Sequence, residues 1–207
     1  MSRAHDQIRM AAISYSHIKV IGTHCGVSIG EDGPSQMGLE DLAMFRSLPS
    51  SIVLYPSDAV SAERSVELAA NTPHLVYIRS SRPAMATLYK PDEVFEIGKS
   101  KVCLKTDSDK LLVVGAGVTL IEGLKAAQQL KTKGVNIRVI DIFSVKPIDQ
   151  ECLSRNASEC GSLVLTIEDH FLEGGIGEAV SSCLSEVGNF IVHKIHVTGV
   201  PTSGKPH

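Results

Sequence analysis

The sequence lacks the features that mark several classes of protein. It has no tryptophan, only 4% of its 207 residues are aromatic, and its net charge is −3 with no basic run. We expect no nucleic-acid partner, because binding to a phosphate backbone depends on clustered lysine and arginine. No apolar stretch is long enough to span a bilayer, and segment 1–7 lacks the apolar core of a signal peptide. We therefore expect no membrane partner either.

The cysteines are scattered and odd in number. None of the five forms a CxxC pair, which argues against a disulfide framework or a zinc knuckle and favours a reducing, cytoplasmic compartment. His193 and His196 fall in a predicted strand, where residues three apart point to opposite faces. We therefore expect no metal site in this chain.

What is present is an ordinary globular composition, with 43% apolar and 21% charged residues. Short buried-strand runs alternate with helical patterns, which predicts an α/β fold with parallel sheets covered on both faces. The predicted strands lie at 18–21, 52–55, 75–78, 111–114, 137–140, 163–167 and 191–195. The predicted helices lie at about 8–12, 39–48, 60–69, 120–130, from 147, and at 175–187.

The alternation is interrupted once, which divides the chain into two consecutive α/β units. We predict a first domain at 1–86, a connector at 87–108 and a second domain at 109–207. Two short β-like runs in the connector, 94–97 and 101–104, suggest a small hairpin. No capping residue precedes the first helix at a convincing distance, so we expect that helix to begin upstream of this chain.

The most unusual segment is the glycine-rich loop at 22–38, between a predicted strand and a predicted helix. Ligands bind at this end of the strands in open α/β sheets, and the glycines allow close approach of the backbone. Its candidate groups are His24, Glu31, Asp32 and Gln36. From spacing alone, a functional loop and an ordinary surface loop are equally good interpretations. A nucleophilic pair of His24 and Cys25 is not implied, because neighbours on an extended backbone point apart.

Two other glycine-containing motifs have simpler interpretations. Gly115 and Gly117 follow a strand, but Leu120 stands where the dinucleotide fingerprint needs its third glycine, so a tight strand-to-helix turn is favoured. The run 168–170, Glu-Asp-His, precedes a glycine-rich helix start that could hold an anion. We favour a domain interface for this run over an anion site.

Five blocks of the sequence resemble the animal transketolases in order and spacing, and the likeness runs from Arg3 to Pro206. They are RAHDQIR at 3–9, HCGVSIGEDGPSQ at 24–36, YPSD at 55–58, IRSSRP at 78–83 and EDHFLEGGIGEAV at 168–180. The resemblance implies the later part of a thiamine-diphosphate pyrimidine domain, followed by a transketolase carboxy-terminal domain. It also implies a homodimer that transfers a two-carbon ketol unit between sugar phosphates in the pentose phosphate pathway, using thiamine diphosphate and Mg²⁺.

The resemblance assigns roles to four residues. Gln36 matches the position that contacts the cofactor, Asp32 matches a carboxylate that reads a substrate hydroxyl, and His24 and Arg82 match residues that meet the sugar chain and its phosphate. A guanidinium fork suits a phosphate, and a buried carboxylate discriminates between epimers of a hydroxyl. His5 stands where the family has an aromatic residue, which puts packing near the pyrimidine pocket in doubt.

The resemblance places the catalytic glutamate, the diphosphate site and the metal site upstream of this chain. We therefore expect no catalytic residue here and no activity from the isolated chain. One alternative is a non-catalytic transketolase-like isoform that pairs with full-length subunits. Another is a different enzyme of the same thiamine superfamily, although His24, Asp32 and Arg82 together favour a phosphorylated polyol over a 2-oxoacid.

Overall fold

The computed structural model describes residues 2–205, which form six α-helices and nine strands. The N-terminal unit contains α1 (His5–Ile13), β1 (Lys19–Gly22), α2 (Asp41–Arg46), β2 (Ile52–Leu54), α3 (Ala59–Ala70) and β3 (Val76–Arg79). The C-terminal unit, residues 100–205, contains β4 (Lys101–Leu104), β5 (Leu112–Gly115), α4 (Val118–Thr132), β6 (Arg138–Asp141), β7 (Ser144–Lys146), α5 (Gln150–Glu159), β8 (Leu163–Phe171), α6 (Ile176–Ser185) and β9 (Ile191–Val197).

The first sheet has the strand order β1-β3-β2-β7. β1, β2 and β3 are parallel, with Lys19 and Ile52 both opposite Val76. β7 comes from the C-terminal unit and runs antiparallel to β2, placing Ser144 opposite Leu54. The predicted α/β class is confirmed, but this sheet is mixed rather than purely parallel. The sequence did not predict β7, because it is three residues long and two of them are polar.

The second sheet has the order β4-β6-β5-β8-β9 and is parallel except for β4. β4 pairs antiparallel with β6, so the predicted hairpin of 94–97 with 101–104 is wrong. Segment 94–97 forms no strand, and its aromatic residue packs into the hydrophobic core. The Phe95 ring packs 4.6 Å from Phe143 and 4.9 Å from Tyr89, measured between ring centroids.

Local chemistry explains where the helices begin. At the start of α3, the Asp58 carboxylate accepts a hydrogen bond from the Ser61 amide at 2.8 Å. The Ser61 hydroxyl in turn accepts a hydrogen bond from the Asp58 amide. α5 begins at Gln150 rather than at the expected Pro147, since Asp149 is the residue that caps it. α1 has no side-chain cap, as the sequence predicted.

The two units share one hydrophobic core, in which Phe45 and Tyr55 of the N-terminal unit join Leu112, Val114 and Ile142 of the C-terminal unit. The contact is close at Gly117 (φ +58°), where an added Cβ would lie 2.3 Å from the Tyr55 ring. This confirms that the glycines after β5 make a tight turn. No helix among residues 2–205 is long and apolar enough to cross a membrane.

Candidate active site

The loop between β1 and α2 is closed at its base. The Gly26 amide donates to the Gly38 carbonyl at 2.8 Å, and the Gly38 amide donates to the His24 carbonyl at 3.1 Å. The middle of the loop forms a 3-10 turn at Gly30–Asp32 that ends at Gly33, where φ is +76°. Hydrogen bonds across the base and a local turn therefore hold the polar residues in place.

A cleft of about 350 Å³ opens at this end of the first sheet, beside the loop. Three of the four predicted site residues line it: His24, Asp32 and Gln36. Met44 and Tyr77 contribute to its wall, so apolar and polar surfaces face the same space. A cleft with a few convergent polar groups is typical of a small-molecule site.

Arg82, the fourth predicted residue, lies at the edge of the cleft just after β3. Its Nη1 lies 2.8 Å from the Asp32 carboxylate and 3.5 Å from that of Glu31. The Arg82 and Asp32 side chains are 44% and 37% exposed, so the pair is open to solvent. Asp32 is thus not the buried carboxylate that the sequence interpretation assumed. The structure brings all four residues together at one accessible site.

His24 and Cys25 point to different environments. The His24 backbone has φ +64°, and its Nδ1 lies 2.9 Å from the Thr23 hydroxyl at the cleft. Cys25 is buried, and its thiol lies 3.6 Å from the Tyr55 hydroxyl. Burial raises the pKa of Cys25 to about 12, so the thiol stays protonated. The structure therefore contains no thiolate–imidazole pair here, as the sequence predicted.

A fully buried arginine lies beneath the cleft. Arg79 Nε donates to Asp41 at 2.9 Å, its Nη1 donates to Asp169 at 2.6 Å, and its Nη2 donates to the carbonyls of Gly38 and Asp169. Arg79 thus connects β3, the end of the site loop, the start of α2 and the C-terminal unit. The sequence interpretation did not identify Arg79, although an arginine that ends a fully buried strand run is a signal for such a network.

Two tyrosines complete the network. The Tyr77 hydroxyl donates to Asp41 at 2.6 Å, and the Tyr55 hydroxyl donates to Asp169 at 3.1 Å. Burial alone would raise the pKa of Asp41, but the Arg79 guanidinium outweighs it and the pKa of this carboxyl is lowered. Asp41 therefore stays ionised below the floor of the cleft.

The Glu-Asp-His run at the end of β8 forms the interface between the units, as favoured from sequence. Asp169 is packed so closely against the site loop that a Cβ added to Gly26 would lie 1.8 Å from its carboxylate. Glu168 turns to the start of α6 and accepts from the amides of Ile176 at 2.6 Å and Gly177 at 2.9 Å. The protein's own Glu168 carboxyl group therefore occupies the helix start at which the sequence allowed an anion site.

Comparison with known proteins identifies the family. The chain matches the family models "Transketolase, pyrimidine binding domain" over residues 1–87 and "Transketolase, C-terminal domain" over residues 100–207. It is 56% identical to human transketolase over 205 residues and 55% identical to bovine transketolase-like protein 1 over 206 residues. The chain belongs to the transketolase family. It spans about a third of the length of these relatives, 33% and 35% respectively.

Solved transketolase structures share the fold of this chain. A structure described as a split gene transketolase, inactive β4 tetramer, superimposes with a TM-score of 0.86 at 36% identity, covering 96% of this chain and 63% of that one. A transketolase from Campylobacter jejuni has a TM-score of 0.80 at 19% identity, covering 99% of this chain and 30% of its own. The arrangement of the two units is therefore that of transketolases.

Membership of the transketolase family implies thiamine diphosphate and a divalent metal as cofactors. The residues of this chain fit only part of this cofactor set. The cleft offers the Gln36 amide and the His24 imidazole beside an apolar wall, which suits a heteroaromatic ring with hydrogen-bonding nitrogens. Within residues 2–205, no group of three or more His, Cys, Asp or Glu side chains could hold a metal ion. A pyrimidine fits this chain, and a metal-bound diphosphate requires ligands from elsewhere.

Proposed function

We propose that this protein supplies the pyrimidine side and the substrate side of a transketolase active site. The observation that carries the proposal is the convergence of His24, Asp32, Gln36 and Arg82 at one open cleft in a transketolase pyrimidine domain. The reaction is the transfer of a two-carbon ketol unit between sugar phosphates. The partner implied is another transketolase subunit, as a homodimer or with a full-length chain, and the compartment we propose is the cytoplasm.

Thiamine diphosphate, when bound, supplies the nucleophilic carbon that accepts the two-carbon unit. The residues of this chain bind and orient. The Gln36 amide can donate to a ring nitrogen of an aminopyrimidine and accept from its amino group. The Arg82 guanidinium presents paired donors to a sugar phosphate, which would compete with Asp32 and Glu31 for them. Asp32, once released, accepts a hydrogen bond from a sugar hydroxyl, and His24 contacts the sugar chain.

The alternative from a different class is a non-catalytic transketolase-like partner. Two findings favour it: the relatives include proteins named transketolase-like, and the split-gene structure is described as inactive. A different thiamine-dependent activity has less support, because both family models that match are those of transketolase. Activity of the site in a complete enzyme separates these possibilities.

The experiment is a chimera in which this chain replaces the matching third of human transketolase. With xylulose 5-phosphate, ribose 5-phosphate, thiamine diphosphate and Mg²⁺, we expect the chimera to turn over and the isolated chain to be inactive. Asp32→Ala in the chimera should lower kcat/KM about 10- to 100-fold, because it removes a charged hydrogen-bond acceptor. Glu31→Ala, which removes the neighbouring exposed carboxylate, is the matched control. A folded, dimeric but inactive chimera would instead support the non-catalytic partner.

A further inference from the structure

The segment that follows β9 crosses back to the site loop. The chain turns at Gly199, where φ is +131°, and continues as residues 200–205, which we call the tail. In the tail, the Gly204 amide donates to the Gly30 carbonyl at 3.0 Å. The same carbonyl accepts from the Gly33 amide at 3.3 Å, which closes the 3-10 turn carrying Asp32. The tail thus binds the turn at the carbonyl on which its geometry depends.

The tail also approaches this turn at Gly33. Ser203 occupies the space beside Gly33, and a Cβ added to Gly33 would lie 2.6 Å from the Ser203 hydroxyl. With φ at +76°, Gly33 has a backbone conformation that other residues rarely adopt. Gly33 therefore meets two requirements. The backbone of the turn needs a positive φ at this position, and a side chain here would collide with the tail.

The C-terminal unit also supports the loop from beneath. Ile29, Met37 and Leu39 form a small buried cluster, against which Phe171 and Val197 pack from the ends of β8 and β9. The Phe171 amide donates to the Leu39 carbonyl at 2.9 Å. The loop is therefore held between these strand ends and the tail that continues from β9.

We infer that the tail is a strap that positions Asp32, and through it Arg82, for substrate. The residues that line the cleft all fall between Ser2 and Tyr77, so the C-terminal unit acts on the site indirectly. The strap itself follows from the contacts above, and only the ligand that the positioned pair receives rests on the proposed function. Gly204 is a positioning residue because its amide contacts the turn that carries Asp32.

The first test is hydrogen exchange on this chain with two variants at one position. Gly204→Pro removes the N–H, whereas Gly204→Ala keeps it, and an added Cβ at Gly204 would meet no atom within 4 Å. We expect amides in 30–37 to exchange about two- to tenfold faster in the proline variant than in the alanine variant, which is the effect of losing one hydrogen bond. Ser203→Gly, which removes the other contact, should move the same amides in the same direction. Equal exchange in all variants would overturn the strap.

The second test separates positioning from simple support of the fold. In the chimera, Gly204→Pro should raise KM for the sugar phosphate with kcat largely retained, while Gly204→Ala behaves as the parent. Faster exchange with unchanged KM would overturn the positioning role. An inactive parent chimera would count against the proposed function, and the exchange comparison alone would then decide whether the tail is a strap.

Discussion

Two arginines three residues apart, Arg79 and Arg82, have opposite environments. Arg79 ends β3, is fully buried, and donates to two carboxylates and two carbonyls. Arg82 lies in the following loop with its side chain 44% exposed, and it pairs with two carboxylates of the site loop, at 2.8 Å and 3.5 Å. The same side chain therefore fixes the floor of the site at one position and lies exposed at the edge of the cleft at the other.

The difference lies in what water can replace. When Arg82 leaves Asp32, solvent can hydrate both charges, so the pair can open for a ligand at little free-energy cost. Arg79 has no such alternative, because Asp41 and Asp169 are themselves buried. Removing its guanidinium would leave two desolvated carboxylates without a counter-charge. The buried cluster therefore holds the two units together, while the exposed pair remains available for binding.

The largest expected effect comes from breaking the buried cluster. Arg79→Met should lower the free energy of unfolding by about 3–5 kcal/mol, because it leaves buried carboxylates on both units without a counter-charge. Denaturant titration of the chain measures this loss, with Arg82→Met as the matched control. Loss of a similar size in both variants would contradict the distinction between the two arginines.

A second prediction compares two buried carboxyls, of which Asp41 forms an ion pair with Arg79 and Glu168 forms no ion pair among the described residues. Asp41 has its pKa lowered by Arg79, whereas burial raises the pKa of Glu168 to about 7. Between its ordinary pKa near 4.5 and about 7, native Glu168 retains a proton that the unfolded chain releases. Its contribution to stability therefore falls as pH rises through that range, and it is level above it.

Glu168→Gln isolates this contribution. Relative to the parent, the variant should gain about 3 kcal/mol of unfolding free energy between pH 4.5 and pH 8, since each pKa unit corresponds to about 1.4 kcal/mol. Glu173→Gln, a change at a nearby exposed carboxyl, controls for the loss of one negative charge. A difference between Glu168→Gln and parent that does not vary with pH would show that burial does not govern Glu168.

Much of the fold could be predicted because its strands are short, continuous apolar runs. Ile52–Leu54 and Leu112–Gly115 are buried throughout, and each was predicted at nearly its observed position. β7 and the partner of β4 were harder, since each of these strands pairs antiparallel with a strand from another part of the chain. Single-sequence periodicity carries no information about such a partner.

The candidate site was also only partly predictable from the sequence. The composition of the glycine-rich loop identified it as a candidate site. The resemblance to transketolases added Arg82 and the roles of all four residues. Arg79 escaped notice because its partners are distant in sequence, with Asp41 38 residues away and Asp169 90 residues away. The tail contact at Gly204 gave no sequence signal, since it is a backbone hydrogen bond. The sequence thus indicated the candidate side chains at the cleft, and the structure shows what holds them.

The central claim is that Arg82 receives the substrate phosphate. Substitution of Arg82 tests this claim most directly, and it is also the substitution with the smallest expected change in stability. In the chimera, Arg82→Met should change the free energy of unfolding by less than about 1 kcal/mol. The deciding measurement is kcat/KM of this variant for a phosphorylated and for an unphosphorylated acceptor sugar. The account predicts a loss of about 10- to 100-fold with ribose 5-phosphate and little loss with the unphosphorylated sugar. An equal loss with both sugars would contradict it.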